Sequence, residues 1–240
     1  MSDLPRKTAA EFIGAFLLAG VVVGSGVMGE RLGGGNVAVA LLVNTIATAA
    51  ILFVIIHALA PISGAHFNPA VSLIMALKRE IGAGDCVFYI AAQIAGCCAG
   101  AMFAHFMFDM ALVQISAHAR AGPGQWASEG AATFALIFCI LMVSRAAPKA
   151  VPAAVALTIA AGYLWTSSTS FANPAITIAR TLTDTFSGIR AFDAPAFIAA
   201  QIAGALAAWA VCAWLYRAPA RAAQAEINAA ATRSVSNSGG

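Results

Sequence analysis

Asn-Pro-Ala occurs twice in this chain, as Asn68-Pro69-Ala70 and Asn173-Pro174-Ala175, 105 residues apart. The pairing of types has a physical meaning. Asparagine is a preferred N-cap, and proline suits the first helical position because the amide it lacks has no intrahelical partner there. Each triplet therefore opens a helix. Capping occupies the asparagine's carboxamide oxygen and leaves its NH2 to donate. Four further polar residues, Glu11, Glu129, Gln93 and Gln201, stand inside apolar sequence. A carboxylate in hydrocarbon costs at least ~2.5 kcal/mol on insertion scales, so each must serve a purpose.

The surroundings explain why these residues stand out. The chain has 240 residues, of which 61% are hydrophobic and 10% charged, with a mean hydropathy of +0.85. That leaves too little polar surface for a water-soluble domain. Six apolar runs cover Thr8 to Met28, Val37 to Ala60, Cys86 to Phe108, Ala127 to Ser144, Ala150 to Trp165 and Ala194 to Tyr216. Most reach the ~20 residues that a helix needs to cross ~30 Å of hydrocarbon, and the fifth qualifies if it continues toward Ser170. The first run is expected to remain as a helix, since no small-residue cleavage pattern follows it. Lys and Arg flanks divide nine against four, which puts both termini in the cytoplasm of an inner-membrane protein.

The organisation is a repeat. IAAQIAG at Ile90 to Gly96 recurs letter for letter at Ile198 to Gly204, and AAEFIGAF at Ala9 to Phe16 is echoed by ASEGAATF at Ala127 to Phe134. Each half reads Glu helix, second helix, Asn-Pro-Ala, Gln helix. Three crossings per half invert the second half relative to the first, and in inverted repeats the working site lies near the midplane. Only about ten apolar residues follow each asparagine, ~15 Å of helix or half a bilayer. These read as re-entrant half-helices entering from opposite faces, with Asn68 and Asn173 meeting at the centre.

Loop backbone at that depth is tolerated only where protein buries it or where it lines a wet cavity. Gly64, Ala65, His66 and Phe67 precede the first cap, and Thr169, Ser170, Phe171 and Ala172 the second, each set offering a ladder of carbonyl acceptors. Glu11 and Glu129 read as braces for the loop amides in preference to a proton-coupling pair, and Gln93 and Gln201 follow the same logic. His66 has two readings, pore lining through its carbonyl or loop packing. His57 reads as structural in preference to a pH gate.

In these motifs the chain resembles the aquaporin, or major intrinsic protein, family over roughly residues 8 to 216. The resemblance implies an all-α membrane fold of six transmembrane helices and two half-helices, and a homotetramer with one passive pore per subunit for water or small neutral solutes. It also exposes a departure: where most members have arginine after the second Asn-Pro-Ala, this chain has Ile176. Spacing places the other filter positions at Thr48, twenty residues before Asn68, at Ala161 or Gly162, twelve before Asn173, and at Ser170. Such a filter would be wide, half apolar and uncharged. It suits glycerol-like polyols, urea or undissociated metalloid hydroxides such as arsenous acid. Arg180, one turn after Ile176, reads either as a charge at the pore mouth or as a partner for Asp184.

Residues 1–7 are expected to form a cytoplasmic N-terminus, 8–216 the channel with repeats at about 8–110 and 127–216, and 217–240 a partly disordered tail. The net charge of +3 sits in the membrane flanks and asks for no nucleic acid. Five cysteines lack metal-ligand spacing, and neither a cofactor, a metal nor an enzymatic activity is expected. The main rival reading is an ion-coupled secondary transporter, which also uses inverted repeats. Two further readings behind the channel are a water-selective aquaporin and a structural membrane protein.

Overall fold

The computed structural model describes residues 3–216, so the predicted tail at 217–240 lies outside the described residues. In chain order the α-helices are α1 (Leu4–Gly33), α2 (Val37–Ser63), α3 (Pro69–Leu77), α4 (Ala83–Met107), α5 (Pro123–Ala146), α6 (Val151–Trp165), α7 (Pro174–Ala179) and α8 (Ala194–Leu215). Local sequence sets many of the ends. Gly34 closes α1 in the left-handed region, and Asn36 caps α2 by accepting from the amides of Ala38 and Val39. Proline opens α3, α5, α6, α7 and α8 within the first two positions.

Five helices, α1, α2, α4, α5 and α8, are long and apolar enough to cross a membrane. The remaining span, α6, has 15 residues. It does not continue toward Ser170, as the sequence allowed: it stops at Trp165, and Thr166 is extended with its hydroxyl donating back to the Gly162 carbonyl at 2.6 Å. Hydroxyl side chains in Thr166-Ser167-Ser168-Thr169-Ser170 compete with helical hydrogen bonds, and the chain turns there into a loop. A 3-10 turn at Pro148–Ala150 lengthens the span at its other end.

The two half-helices match closely. α3 has nine residues; α7 has six and continues through a three-residue 3-10 turn, Arg180–Leu182. At 1.5 Å per residue nine residues give about 14 Å, so neither crosses alone.

Packing follows the repeat: α1 lies against α2 and α4, and α5 against α6 and α8. Two glycines at equivalent places permit close approaches. A Cβ on Gly96 would lie 2.4 Å from the Phe12 carbonyl oxygen, and one on Gly204 2.1 Å from that of Gly130. Small residues at helix crossings are the usual means of association where lipid supplies no hydrophobic drive. Large apolar side chains such as Ile46, Phe106, Leu157 and Trp214 are correspondingly turned outward.

Candidate functional site

The loops at 64–68 and 169–173 share one backbone conformation. Gly64, Ala65 and Phe67 have positive φ (88°, 54° and 50°), and so do Thr169, Ser170 and Ala172 at the equivalent positions (62°, 51° and 47°). Five of these six residues carry a side chain, and a non-glycine residue held left-handed costs on the order of 1–3 kcal/mol. Something must hold the loops.

The buried carboxylates do. Glu11 Oε1 accepts from the Ser63 hydroxyl at 2.6 Å and the His66 amide at 3.0 Å, while Oε2 accepts from the Phe67 amide and Gln93 Nε2, both at 2.7 Å. Glu129 repeats the set: Oε1 accepts from Ser168 Oγ and the Phe171 amide at 2.5 and 2.9 Å, Oε2 from the Ala172 amide and Gln201 Nε2 at 2.9 and 2.6 Å. Each glutamine also reaches its half-helix, Gln93 to Ser72 Oγ and Gln201 to Thr177 Oγ1, both at 2.9 Å. Both carboxylates and both glutamine side chains are fully buried. Hydrogen bonds to a charged group contribute about 1.5–3 kcal/mol each, enough to offset the loop strain.

The loops in turn hold one another. Asn68 caps α3 by accepting from the Ala70 amide at 2.9 Å, and Asn173 caps α7 by accepting from the Ala175 amide at 2.9 Å. Their NH2 groups are not wholly free, as capping alone implied. Asn68 Nδ2 donates to the Ala172 carbonyl at 2.7 Å and Asn173 Nδ2 to the Phe67 carbonyl at 2.9 Å. One N–H of each amide is spent on the opposite loop, which leaves one, and the carbonyl ladder is shortened at both inner ends.

A cavity of about 270 Å³ runs along this centre, from Glu80 and Ser144 past Asn68 and Asn173 to Thr48 and Arg180. Gly64, Ala65, His66, Phe67, Ser170, Phe171 and Ala172 line it, whereas Thr169 does not and turns its amide to the Thr166 carbonyl. Thr48, Ser170 and Ile176 also line it. Neither residue that spacing offered on α6 does. Ala161 is exposed on the outer face, and Gly162 packs against the Ser170 side chain, where a Cβ would meet Oγ at 2.4 Å. Tyr163 stands in the wall instead, with its hydroxyl 3.3 Å from Thr48 Oγ1. The reason is periodic: Val151, Val155, Ile159 and Tyr163 form an i, i+4 row that faces the cavity, and Ala161 lies two residues off it.

Arg180 differs most from the sequence reading. It does not pair with Asp184, which accepts from the Ala117 amide and lies 3.9 Å from His118 Nε2. Its side chain, 2% exposed, lines the cavity, with Cζ over the Phe171 ring 3.4 Å from its centroid. Side chains on a helix lean toward its N-terminus, so a residue one turn beyond Ile176 covers the level of Ile176. The wall that the sequence read as uncharged therefore holds a guanidinium. Nε donates to the Ser187 carbonyl, and among the described residues Nη1 is buried without a partner. Arg120 approaches the same ring at 5.2 Å and donates to the carbonyls of Ser168, Phe186 and Gly188. Among the described residues neither arginine has an ion pair.

His66 lines the cavity, its ring nitrogen Nδ1 meets Ser72 Oγ at 3.0 Å, and its ring packs edge to face with Tyr89. His57 is exposed and stacks beside Phe53.

A family model described as "Major intrinsic protein" matches residues 1–166 and 145–238. The chain belongs to the major intrinsic protein family. Aquaglyceroporin AqpS of Rhizobium meliloti (strain 1021) is 50% identical over 219 residues, covering 91% of this chain and 93% of that protein. Aquaporin A of Dictyostelium discoideum is 30% identical over 170 residues, 64% of this chain and 60% of that protein. The X-ray structure of the aquaglyceroporin from Plasmodium falciparum superposes with a TM-score of 0.65 at 20% identity, covering 88% of this chain and 95% of that one, a likeness of fold. The major intrinsic protein described here is thus an integral membrane protein and a passive channel, not an enzyme or an ion-coupled carrier.

Proposed function

We propose that the channel passes glycerol-like polyols, urea or undissociated metalloid hydroxides together with water, and excludes protons and ions. The observation that carries this reading is the pair of half-helix N-termini clasped at Asn68 and Asn173 in the wall of one cavity. Each N-terminus carries about half a positive charge. Two of them at the dry centre oppose cations and hydronium. A water accepting the one remaining N–H of each asparagine points its hydrogens away from the centre and breaks a proton wire.

Selection falls to the end lined by Thr48, Tyr163, Ser170, Ile176 and Arg180. Ile176 supplies an apolar wall where most members have arginine. Arg180 supplies the positive charge from one turn further on. The loop carbonyls from Gly64 to His66 and those of Ser170 and Phe171 exchange hydrogen bonds with the solute. The assembly is a homotetramer in the inner membrane with both termini in the cytoplasm, in line with the nine-to-four split of Lys and Arg.

The test is purified protein in liposomes, shrunk osmotically with sucrose, glycerol or urea and followed by light scattering, with arsenite uptake alongside. The reading expects glycerol or urea permeability well above that of empty liposomes and linear in gradient. Permeability to water alone would reassign the chain as water-selective.

A further inference from the structure

Arg180 can act as the constriction's cation only if its guanidinium stays at the wall, and the loop at 183–193 is what holds it there. We propose that Ser187 is a positioning residue for Arg180, fixed to α1 through the Val22 carbonyl that Asn44 also clamps, and admitted to that place by Gly26. The proposal rests on the reading of Arg180 as the filter charge and adds how that charge is kept in position.

The Nε–H of Arg180 donates to the Ser187 carbonyl, and Nη1 has no partner among the described residues. Ser187 is fully buried, and its hydroxyl donates to the Val22 carbonyl on α1 at 3.0 Å. The same carbonyl accepts Asn44 Nδ2 from α2 at 2.7 Å, and Asn44, also fully buried, donates again to Ser25 Oγ at 2.9 Å. Val22 itself lines the cavity. The loop is thus tied to the helix backbone directly behind the wall that it furnishes.

Gly26 makes the contact possible. A Cβ there would stand 2.5 Å from Ser187 Oγ, closer than real Cβ contacts come. The segment is held on both flanks as well: the Phe186 amide donates to Glu30 Oε2 at 3.1 Å, and the Ile189 amide to the Arg180 carbonyl at 3.1 Å. With its neighbours fixed, Ser187 cannot move aside without taking its carbonyl, and the guanidinium on it, along. A guanidinium held by one hydrogen bond and one ring face has little else to keep it in place.

A merely structural role for Ser187 would change folded yield and leave selection alone, so the readout is selectivity per folded channel. The full chain is reconstituted as wild type, Arg180→Met, Gly26→Ala, Ser187→Ala and Gly26→Ala/Arg180→Met, and the ratio of glycerol to water permeability and the leak of potassium are measured. Arg180→Met is expected to raise both. Gly26→Ala is expected to move the ratio in the same direction by about twofold or more, the low end of couplings between contacting residues. In the Arg180→Met background it should add nothing. Ser187→Ala, which removes the anchor and adds no atom, gives the same reading if Gly26→Ala fails to fold. An unchanged ratio and leak in Arg180→Met overturns the reading of Arg180 itself. A shift in Arg180→Met with wild-type behaviour in Gly26→Ala and Ser187→Ala overturns the positioning role alone, as does a Gly26→Ala effect that persists without the arginine.

Discussion

Asn68 and Asn173 each donate to the carbonyl that precedes the other, Asn68 to Ala172 at 2.7 Å and Asn173 to Phe67 at 2.9 Å. The two half-helices are therefore joined at their caps by a reciprocal pair of hydrogen bonds. Replacing either asparagine by aspartate preserves the cap, since a carboxylate oxygen still accepts the α3 or α7 amide. It removes the donor to the opposite loop, sets a carboxylate against a carbonyl, and offsets the positive ends of both helices. Asn68→Asp and Asn173→Asp are expected to lower solute flux in liposomes and raise potassium leak. Wild-type values for both quantities in both variants would place the barrier elsewhere.

The clasp is half legible in the sequence. Repeated Asn-Pro-Ala, Glu and Gln residues in apolar runs announce the half-helices and their braces, because burying such groups without partners is too costly to be incidental. That each amide is divided between loop and passage depends on the distance between two segments 105 residues apart, which no local pattern encodes. Arg180 and Tyr163 escape motif spacing for a related reason. Counting from a motif locates a Cα, whereas the wall is made by side-chain direction. The row from Val151 to Tyr163 is the signal that points to the tyrosine.

The braces predict a stability effect without a transport phenotype of their own. Glu129 accepts four hydrogen bonds, and glutamine at that place offers one acceptor oxygen and presents an NH2 to donors. At about 1–3 kcal/mol for each buried group left unpaired, Glu129→Gln and Glu11→Gln should each cost several kcal/mol. Thermal unfolding in detergent should show a clearly lowered midpoint for both. Uptake in the surviving fraction should stay indifferent to a proton gradient, and a gradient dependence that the mutation abolishes would point to coupling instead.

The place of α6 in the wall can be tested by two side chains two residues apart. Ala161 faces outward, so Ala161→Leu should leave the ratio of glycerol to water permeability within error of wild type. Tyr163 lines the cavity and meets Thr48. Tyr163→Ala should widen that end and raise glycerol and urea permeability relative to water. Were the outcomes reversed, with Ala161→Leu restrictive and Tyr163→Ala neutral, spacing from the motif would be the better guide.

The last prediction concerns the residue that sets this chain apart. Ile176 is 4% exposed and lines the cavity, one turn before an arginine that lines it too. Ile176→Arg brings a second guanidinium to that level, in the position where most of the family carries one. Two like charges so close in a dry wall repel, and neither can settle without drawing in water. The wall should therefore narrow and become more polar at once. Glycerol and arsenous-acid-sized solutes should lose far more permeability than water, because each must strip water from the guanidinium groups to pass. In Ile176→Arg/Arg180→Met a single guanidinium lines the cavity, at the usual position, and water permeability should recover while glycerol stays low. An unchanged glycerol to water ratio in the single variant would mean that Ile176 does not form the constriction, and the solute class proposed for the channel would lose its main support.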